Sequence, residues 1–337
     1  MRDEATDRLT IVVAAYNEAE ALPLLHARLL PVLAAMGDVD ARILYVDDGS
    51  SDATWPVMRQ LAADDPRVGL LRLSRNFGKE AALTAGLDMV GGGAAMILDA
   101  DAQDPPELIP QFVAKWREGF DNVYGRRSER AGEGWAKRAT ASMFYRVIGR
   151  LSRTPVPEDT GDFRLLSPRA LAALRELRER HRFMKGLFGW VGFNGAEIAY
   201  EREARVAGRS KFNFWKLWNL ALEGITSFST APLRISTYCG LLTALVALAY
   251  GIYVIVKALL YGDPVAGWPS MMAVILFLGG VQLIALGMIG EYLGRLYVEA
   301  KQRPLYVVAD WQPGEGPAYA GRGSGTRSGH ASGAASA

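Results

Sequence analysis

The sequence predicts an α/β protein with a mostly parallel sheet, followed by a C-terminal part associated with a membrane. Three observations predict this arrangement. Short apolar runs alternate with helical patterns between residues 9 and about 123, polar residues follow each of those runs, and two long uncharged apolar runs come later. A βαβα order with strands buried on both faces is typical of a parallel sheet covered by helices.

Seven elements are predicted in the first part of the chain. Four apolar runs are predicted to be strands: 9–16, 42–48, 68–74 and 94–101. Three segments between them have helical periodicity: 18–36, 52–65 and 79–90. Residues 124–212 are more basic and less regular. We assign residues 1–210 to one cytosolic α/β domain.

Polar residues are concentrated where the predicted strands end. "YNE" follows the first strand, "DDGS" the second, "RNFGK" the third and "DADAQD" the fourth. Ligands of open parallel sheets bind beyond the carboxyl ends of the strands. The sequence therefore predicts a ligand site at this edge of the sheet.

The composition excludes several classes of function. The chain has 337 residues and a formal net charge of +2, which is too small to indicate a nucleic-acid partner. Cys239 is the single cysteine, which excludes an internal disulfide framework and a Cys-rich zinc site, and the three histidines are widely spaced, which disfavours a His-based metal site. The N-terminus reaches acidic residues at once, without the apolar core of a signal peptide. We therefore expect a cytosolic catalytic part.

The C-terminal part is predicted to meet a lipid bilayer. Segment 211–231 mixes aromatic residues with lysines, which suits an interfacial helix, although an ordinary helix packed on the core fits as well. The runs 235–256 and 269–290 lack charged residues, and at about 1.5 Å per residue each could cross a bilayer. Basic residues flank both outer ends, so 232–298 is predicted to be a transmembrane hairpin with cytoplasmic ends. Residues 299–337 are predicted to be a cytosolic segment with a disordered tail.

Oxygen ligands follow the fourth strand. In an extended chain, Asp99, Asp101 and Gln103 would point to one side and could converge on one ion. Oxygen ligands without His or Cys favour Mg²⁺ or Mn²⁺. A helix start, with Asp104 as N-cap and Glu107 as its reciprocal partner, is an alternative that can coexist with metal binding.

Carboxylates and amides at the first two strand ends suit a nucleotide. Asp47 and Asp48 could accept hydrogen bonds from a base or a ribose, and Tyr16, Asn17 and Glu18 lie at the neighbouring strand end. A plain strand–turn–helix connection is the alternative at both places.

Six motifs occur in an order that resembles family 2 glycosyltransferases: "AAYNE", "YVDDGSSDAT", "RNFGKEAALTAGL", "LDADAQDPPE", "GDFRLLS" and "GRSKF". Among them, the chain is most similar to bacterial polyprenyl-phosphate glycosyltransferases related to dolichol-phosphate mannose synthase. The resemblance implies a GT-A fold and an inverting, metal-dependent sugar transfer from a UDP- or GDP-linked donor to polyprenyl phosphate. It places Lys79 in the nucleotide pocket and Asp162 at the acceptor as a base-like carboxylate. Family members commonly have Leu where Ala102 stands.

A phosphate acceptor needs cations more than it needs a base. Its second pKa is near 6, so it is largely dianionic at neutral pH and requires positioning and charge compensation. Six basic residues near the membrane segment are candidates, although each could also lie on a solvated face: Arg126, Arg127, Arg138, Arg205, Arg209 and Lys211.

Two other functions are compatible with parts of the sequence. A processive polysaccharide synthase would carry a QxxRW segment, whereas the nearest text here is "KQRPLY". A non-catalytic nucleotide-sugar-binding membrane protein would not need Asp99, Asp101 and Asp162. The resemblance also implies a multi-pass protein of the bacterial inner membrane, with the catalytic domain and both termini in the cytoplasm. A homo-oligomer such as a tetramer is compatible with the glycines of the second apolar run.

Overall fold

The computed structural model describes residues 8–127, 160–180, 182–201, 231–261 and 267–314. In these ranges eight strands form one sheet: β1 (Arg8–Ala15), β2 (Asp40–Asp47), β3 (Val68–Leu73), β4 (Ala94–Asp99), β5 (Asn122–Arg127), β6 (Thr160–Leu166), β7 (Gly195–Tyr200) and β8 (Val308–Gln312). Its helices are α1 (Ala21–Ala35), α2 (Thr54–Asp64), α3 (Lys79–Met89), α4 (Ile109–Arg117), α5 (Pro168–Glu176), α6 (Met184–Trp190), α7 (Ala231–Tyr261) and α8 (Trp268–Ala300). A 3₁₀ turn, Pro106–Leu108, precedes α4.

The strand order is β7-β5-β6-β4-β1-β2-β3-β8. Strands β3, β2, β1 and β4 run parallel, and β5 and β7 are parallel to each other. β6 lies antiparallel between β4 and β5, and β8 is antiparallel to β3 at the edge. This is the mostly parallel sheet that the sequence predicts.

Helices cover both faces of the sheet. Ile11 and Val13 of β1 pack into the core on one face, with residues of α1, α2 and α4, whereas Val12 packs into the core on the other face, with residues of α3, α5 and α6. Successive strand residues point to opposite faces, so a strand covered on both sides must be apolar at nearly every position. This double burial explains the uninterrupted apolar runs in the sequence.

Two long helices, α7 and α8, contain the two uncharged runs. Many of their described large apolar side chains are exposed, for example Leu248 at 62% and Leu283 at 71%. In the described part of the chain, the segment Phe277–Ala300 is long and apolar enough to cross a membrane, and Thr237–Tyr253 is a shorter apolar segment. Two membrane crossings therefore stay a prediction. The interfacial helix predicted at 211–231 falls almost wholly outside the described residues.

After α8 the chain returns to the sheet. β8 pairs with β3, and the Ser74 amide donates to the Val307 carbonyl at 2.9 Å. The Tyr306 hydroxyl donates to Asp88 at 2.7 Å. The carboxylate of Glu299, at the end of α8, accepts a hydrogen bond from the Arg180 amide at 2.6 Å. The end of the helical pair is thus fastened to the α/β domain by both backbone and side-chain contacts.

A substitution at Gly86 tests how tightly α3 packs on the sheet. A Cβ atom at this position would lie 2.4 Å from Val12 Cγ1 and 2.9 Å from Val46 Cγ2. We expect Gly86→Val to lower the free energy of unfolding by about 2–3 kcal/mol through overpacking. Denaturant unfolding of the purified full-length protein measures the change. Gly92→Val is the matched control, because nothing lies within 4 Å of its Cβ position; equal losses in both variants would contradict the tight packing.

Candidate active site

A cleft of about 520 Å³ opens at the carboxyl ends of the parallel strands. Residues that follow β1 to β4 line it, together with β6 and the start of α6. Seven residues predicted from the sequence lie in its wall: Tyr16, Glu18, Asp48, Lys79, Asp99, Asp101 and Asp162. The described lining contains six carboxylates and two lysines, so it is strongly acidic.

The turn after β2 is held by two buried aspartates with different partners. Asp47 is fully buried and accepts hydrogen bonds from the Ser50 amide at 2.9 Å and the Arg72 guanidinium at 3.1 Å. Asp48 accepts from the amides of Phe77 and Gly78, at 2.8 and 2.9 Å. Burial raises the pKa of Asp48, and the two amides partly offset that rise. Asp48 thus fixes the "RNFGK" loop along the cleft, whereas Asp47 stabilises its own turn and is not in the cleft wall.

Hydrogen bonds connect the turn after β1 to the start of α2 and to the residues just before it. The amide of Asn17 donates to Ser50 Oγ at 3.0 Å, and its side-chain oxygen accepts from the Ser51 amide at 2.9 Å. The Glu18 amide donates to Thr54 Oγ1 at 2.9 Å. Asn17 has φ 57°, a left-handed conformation that Asn tolerates better than most residues. This turn presents Tyr16 and Glu18 to the cleft, and Asn17 holds the turn itself.

Lys79 joins two carboxylates across the cleft. Its ammonium lies 2.7 Å from Asp99 Oδ1 and 2.7 Å from Asp162 Oδ2. Burial lowers the pKa of Lys79, but the two carboxylates outweigh burial and raise it above its usual value. Burial likewise raises the pKa of Asp162, and Lys79 outweighs it and holds that pKa below its usual value. Lys79 and Asp162 are therefore both charged at neutral pH.

The segment after β4 departs from the extended geometry expected from the sequence. β4 ends at Asp99, and Ala102 has φ 54°, so the chain turns before it reaches Gln103. Asp101 lines the cleft, while Gln103 is buried and is not among the described residues that line it. The structure therefore brings Asp99 and Asp101 to the cleft, and a metal-binding role of Gln103 stays a prediction.

The oxygen atoms of the cleft suit a hard divalent cation. Within the described ranges, no cluster of three or more His, Cys, Asp and Glu side chains has the geometry of a metal site. Asp99 and Asp101 nevertheless present carboxylates to the same cleft. The buried Oδ1 of Asp162 also has no hydrogen-bond partner there. Mg²⁺ sites commonly use one or two carboxylates, with phosphates completing the coordination, so these residues fit such an ion.

The predicted helix cap at Asp104 is wrong. Pro105 is the residue that precedes the 3₁₀ turn, and no side chain caps it. Asp104 accepts a hydrogen bond from the Tyr200 hydroxyl at 2.6 Å, and Glu107 pairs with Arg28 at 2.8 Å. Both carboxylates therefore tie this segment to distant elements, which local sequence spacing could not indicate.

Among the described lining residues that are larger than alanine, four were not predicted as site residues: Asn76, Glu80, Phe183 and Lys185. The first two lie in or beside the "RNFGK" motif, which could have indicated them. Phe183 and Lys185 belong to "RFMKG", far along the chain, and reach the cleft because α6 packs beside β6. Burial, together with the charge of Asp162, raises the pKa of Glu80 to about 7.

The cations predicted to bind the acceptor phosphate are only partly described. Arg126 is half-exposed and lies 3.3 Å from Glu197, and it is not in the described wall of the cleft. Arg127 ends β5. The other four fall outside the described residues: Arg138, Arg205, Arg209 and Lys211.

The fold and the site together define a class. Open α/β sheets bind their ligands beyond the carboxyl ends of the strands, and the acidic cleft lies at that edge of this mostly parallel sheet. The sequence model of glycosyl transferase family 2 matches residues 10–175, and that of the GtrB C-terminal hairpin matches residues 231–296. The chain belongs to glycosyl transferase family 2.

Three relatives match the chain over nearly their whole length. An uncharacterised glycosyltransferase of Synechocystis is 50% identical over 305 residues, which cover 90% of this chain and 96% of the relative. The bactoprenol glucosyl transferase of Shigella phage SfV is 47% identical over 301 residues, 89% of this chain and 98% of the relative. A prophage bactoprenol glucosyl transferase homologue of Escherichia coli is 46% identical, with the same coverage.

We expect the two hydrogen bonds that Asp48 accepts to stabilise the "RNFGK" loop against local opening. In Asp48→Asn the side chain can accept from only one of the two amides, and its NH₂ group faces the other donor. We expect hydrogen exchange at Phe77 and Gly78 to become about tenfold faster, which corresponds to about 1.4 kcal/mol. Asp64→Asn, on an exposed position of α2, is the control. Unchanged protection in Asp48→Asn would show that other contacts hold the loop.

Proposed function

We propose that this protein transfers a sugar from a nucleotide diphosphate donor to polyprenyl phosphate, with inversion at the anomeric carbon. The observation that carries the proposal is the single cleft that gathers the strand-end motifs and Asp162 around Lys79. The full-length similarity to bactoprenol glucosyl transferases supports polyprenyl phosphate as the acceptor.

The donor would lie along the ends of β1 to β4. Tyr16 and the loop held by Asp48 form the wall for the nucleoside, and Lys79 supplies positive charge near the diphosphate. Asp99 and Asp101 would hold Mg²⁺ or Mn²⁺ there. Such an ion, when bound, neutralises charge that develops on the departing diphosphate. The side chains themselves orient the donor so that its anomeric carbon faces the acceptor side.

The acceptor reacts through its phosphate oxygen. That oxygen attacks the anomeric carbon from the face opposite the diphosphate, a new C–O bond forms, and the bond to the nucleotide diphosphate breaks with both electrons leaving on oxygen. A largely dianionic phosphate is already a nucleophile at neutral pH. Asp162, held ionised by Lys79, would therefore position the acceptor and take up a residual proton where one remains.

The C-terminal helices would keep the lipid acceptor within reach. We propose that α7 and α8 cross the bilayer as a hairpin and that the cleft faces the cytosol. The exposed apolar surfaces of both helices and the match to the GtrB C-terminal hairpin support this arrangement. The polyprenyl tail would then stay in the bilayer while its phosphate enters the cleft.

The decisive experiment identifies the product. The purified full-length protein, reconstituted in vesicles with polyprenyl phosphate, is offered a panel of UDP- and GDP-linked sugars, and the extracted lipids are examined by mass spectrometry. We expect one polyprenyl-phosphate sugar, formed by protein that floats with the vesicles. Binding of nucleotide sugar without any lipid product would support a non-catalytic protein, and a polymeric product would support a polysaccharide synthase.

Asp101 provides a sharper test of the chemistry. We expect Asp101→Asn to lower transfer by at least a hundredfold, because its side chain no longer contributes a negative charge to the cation site. Chelation of divalent ions should lower wild-type transfer comparably, and excess Mg²⁺ or Mn²⁺ should restore it. Thermal unfolding checks that the variant is folded, and Asp64→Asn is the control. Near-normal transfer in Asp101→Asn or in saturating chelator would reject metal-assisted transfer.

A further inference from the structure

Lys185 lies in the cleft but has no place in the donor site described above. It is the second residue of α6, and with Phe183 it forms the wall beside Asp162. Lys79 and Lys185 are the two cations in the described lining, and Lys79 is held between Asp99 and Asp162. We propose that Lys185 binds the phosphate of the lipid acceptor, an inference that rests on the proposed function.

The charge balance of the cleft calls for a second cation. Its described wall carries six carboxylates, and the incoming acceptor is a phosphate with nearly two negative charges at neutral pH. Lys79 lies 2.7 Å from each of two carboxylate oxygens and is assigned above to the donor diphosphate. A phosphate that enters beside Asp162 adds further negative charge to this wall. Lys185 is the second lysine of the described wall and brings positive charge to that side of the cleft.

The backbone around Lys185 is fixed by contacts from two sides. Glu80 of α3 accepts a hydrogen bond from the Met184 amide at 3.3 Å. The buried Arg164, two residues beyond Asp162, lies 3.8 Å from the Phe188 ring and donates to the Gly161 carbonyl at 3.0 Å. The same guanidinium thus connects the strand that carries Asp162 with the helix that carries Lys185. These contacts hold Lys185 in place beside Asp162, the carboxylate that we propose positions the acceptor.

The surroundings of Lys185 also suit a prenyl chain. Phe183, two residues before Lys185 in the chain, also lines the cleft and adds an aromatic residue to its wall. An ammonium beside aromatic surface fits a ligand that has an anionic head and an apolar tail. A free phosphate would use Lys185 alone, whereas a prenyl phosphate would use both features.

Binding of a short-chain prenyl phosphate and of the corresponding prenyl alcohol to the full-length protein in detergent tests this role. We expect the wild type to bind the phosphate much more tightly than the alcohol. Lys185→Ala should weaken phosphate binding at least tenfold, leave the alcohol within twofold, and be largely rescued by Lys185→Arg. Lys115→Ala, which removes an exposed lysine of α4, is the control. Inorganic phosphate is then added as a competitor of the prenyl phosphate. Because it lacks a tail, its effect measures recognition of the head group alone.

Turnover provides the second readout. In Lys185→Ala the KM for the prenyl phosphate should rise at least tenfold, while the KM for the nucleotide sugar stays within twofold. Unchanged prenyl-phosphate binding, or a parallel rise in both KM values, would overturn the assignment. Lys185→Gln replaces the alanine variant if that protein does not fold. Selective phosphate binding by a wild type that transfers no sugar would refute the proposed function and leave the role of Lys185 standing.

Discussion

The ammonium of Lys79, 2.7 Å from carboxylate oxygens of both Asp99 and Asp162, is the interaction on which the candidate site depends. Asp99 ends a parallel strand, whereas Asp162 lies on the antiparallel strand beside it. Without a cation between them, two such carboxylates would repel each other. The lysine, in the first turn of α3, compensates this repulsion and holds the end of β4 against β6.

The sequence predicts the parallel half of the sheet well because double burial gives each strand a continuous apolar run. Strands β1 to β4 and helices α1 to α3 begin and end within about three residues of the predicted positions. β5 to β8 were missed because their segments mix polar and apolar residues and pair over long distances in the chain. The cleft residues that follow β1 to β4 were predictable because polar residues stand directly after those apolar runs. Asp47 and Gln103 illustrate the limit, since both are buried and neither is among the described residues that line the cleft, which their spacing in the sequence does not indicate.

The sequence motifs and the charge of the phosphate acceptor indicated different residues of the site. The motifs indicated Lys79 and Asp162, yet nothing in their spacing shows that one ammonium bridges two acids. Charge compensation predicted cations near the acceptor, but the candidates came from basic clusters beside the membrane segment. The described cleft instead presents Lys185, from a segment in which a lone lysine stands among aromatic and glycine residues. A single lysine at the edge of an apolar segment gives a weak local signal, although Lys185 lies in the wall of the cleft.

The return of the chain to the sheet after α8 has a consequence for the architecture as a whole. β8 covers the outer edge of β3, and Val307 accepts from Ser74 at the start of the "RNFGK" loop. A protein shortened before the helical pair would leave β3 with unpaired backbone groups, which are a template for intermolecular strand pairing. The N-terminal part of this chain is therefore not a self-sufficient domain with a helical pair appended. Its edge strand is supplied from beyond α8, so the sheet is complete only when the chain continues through both long helices.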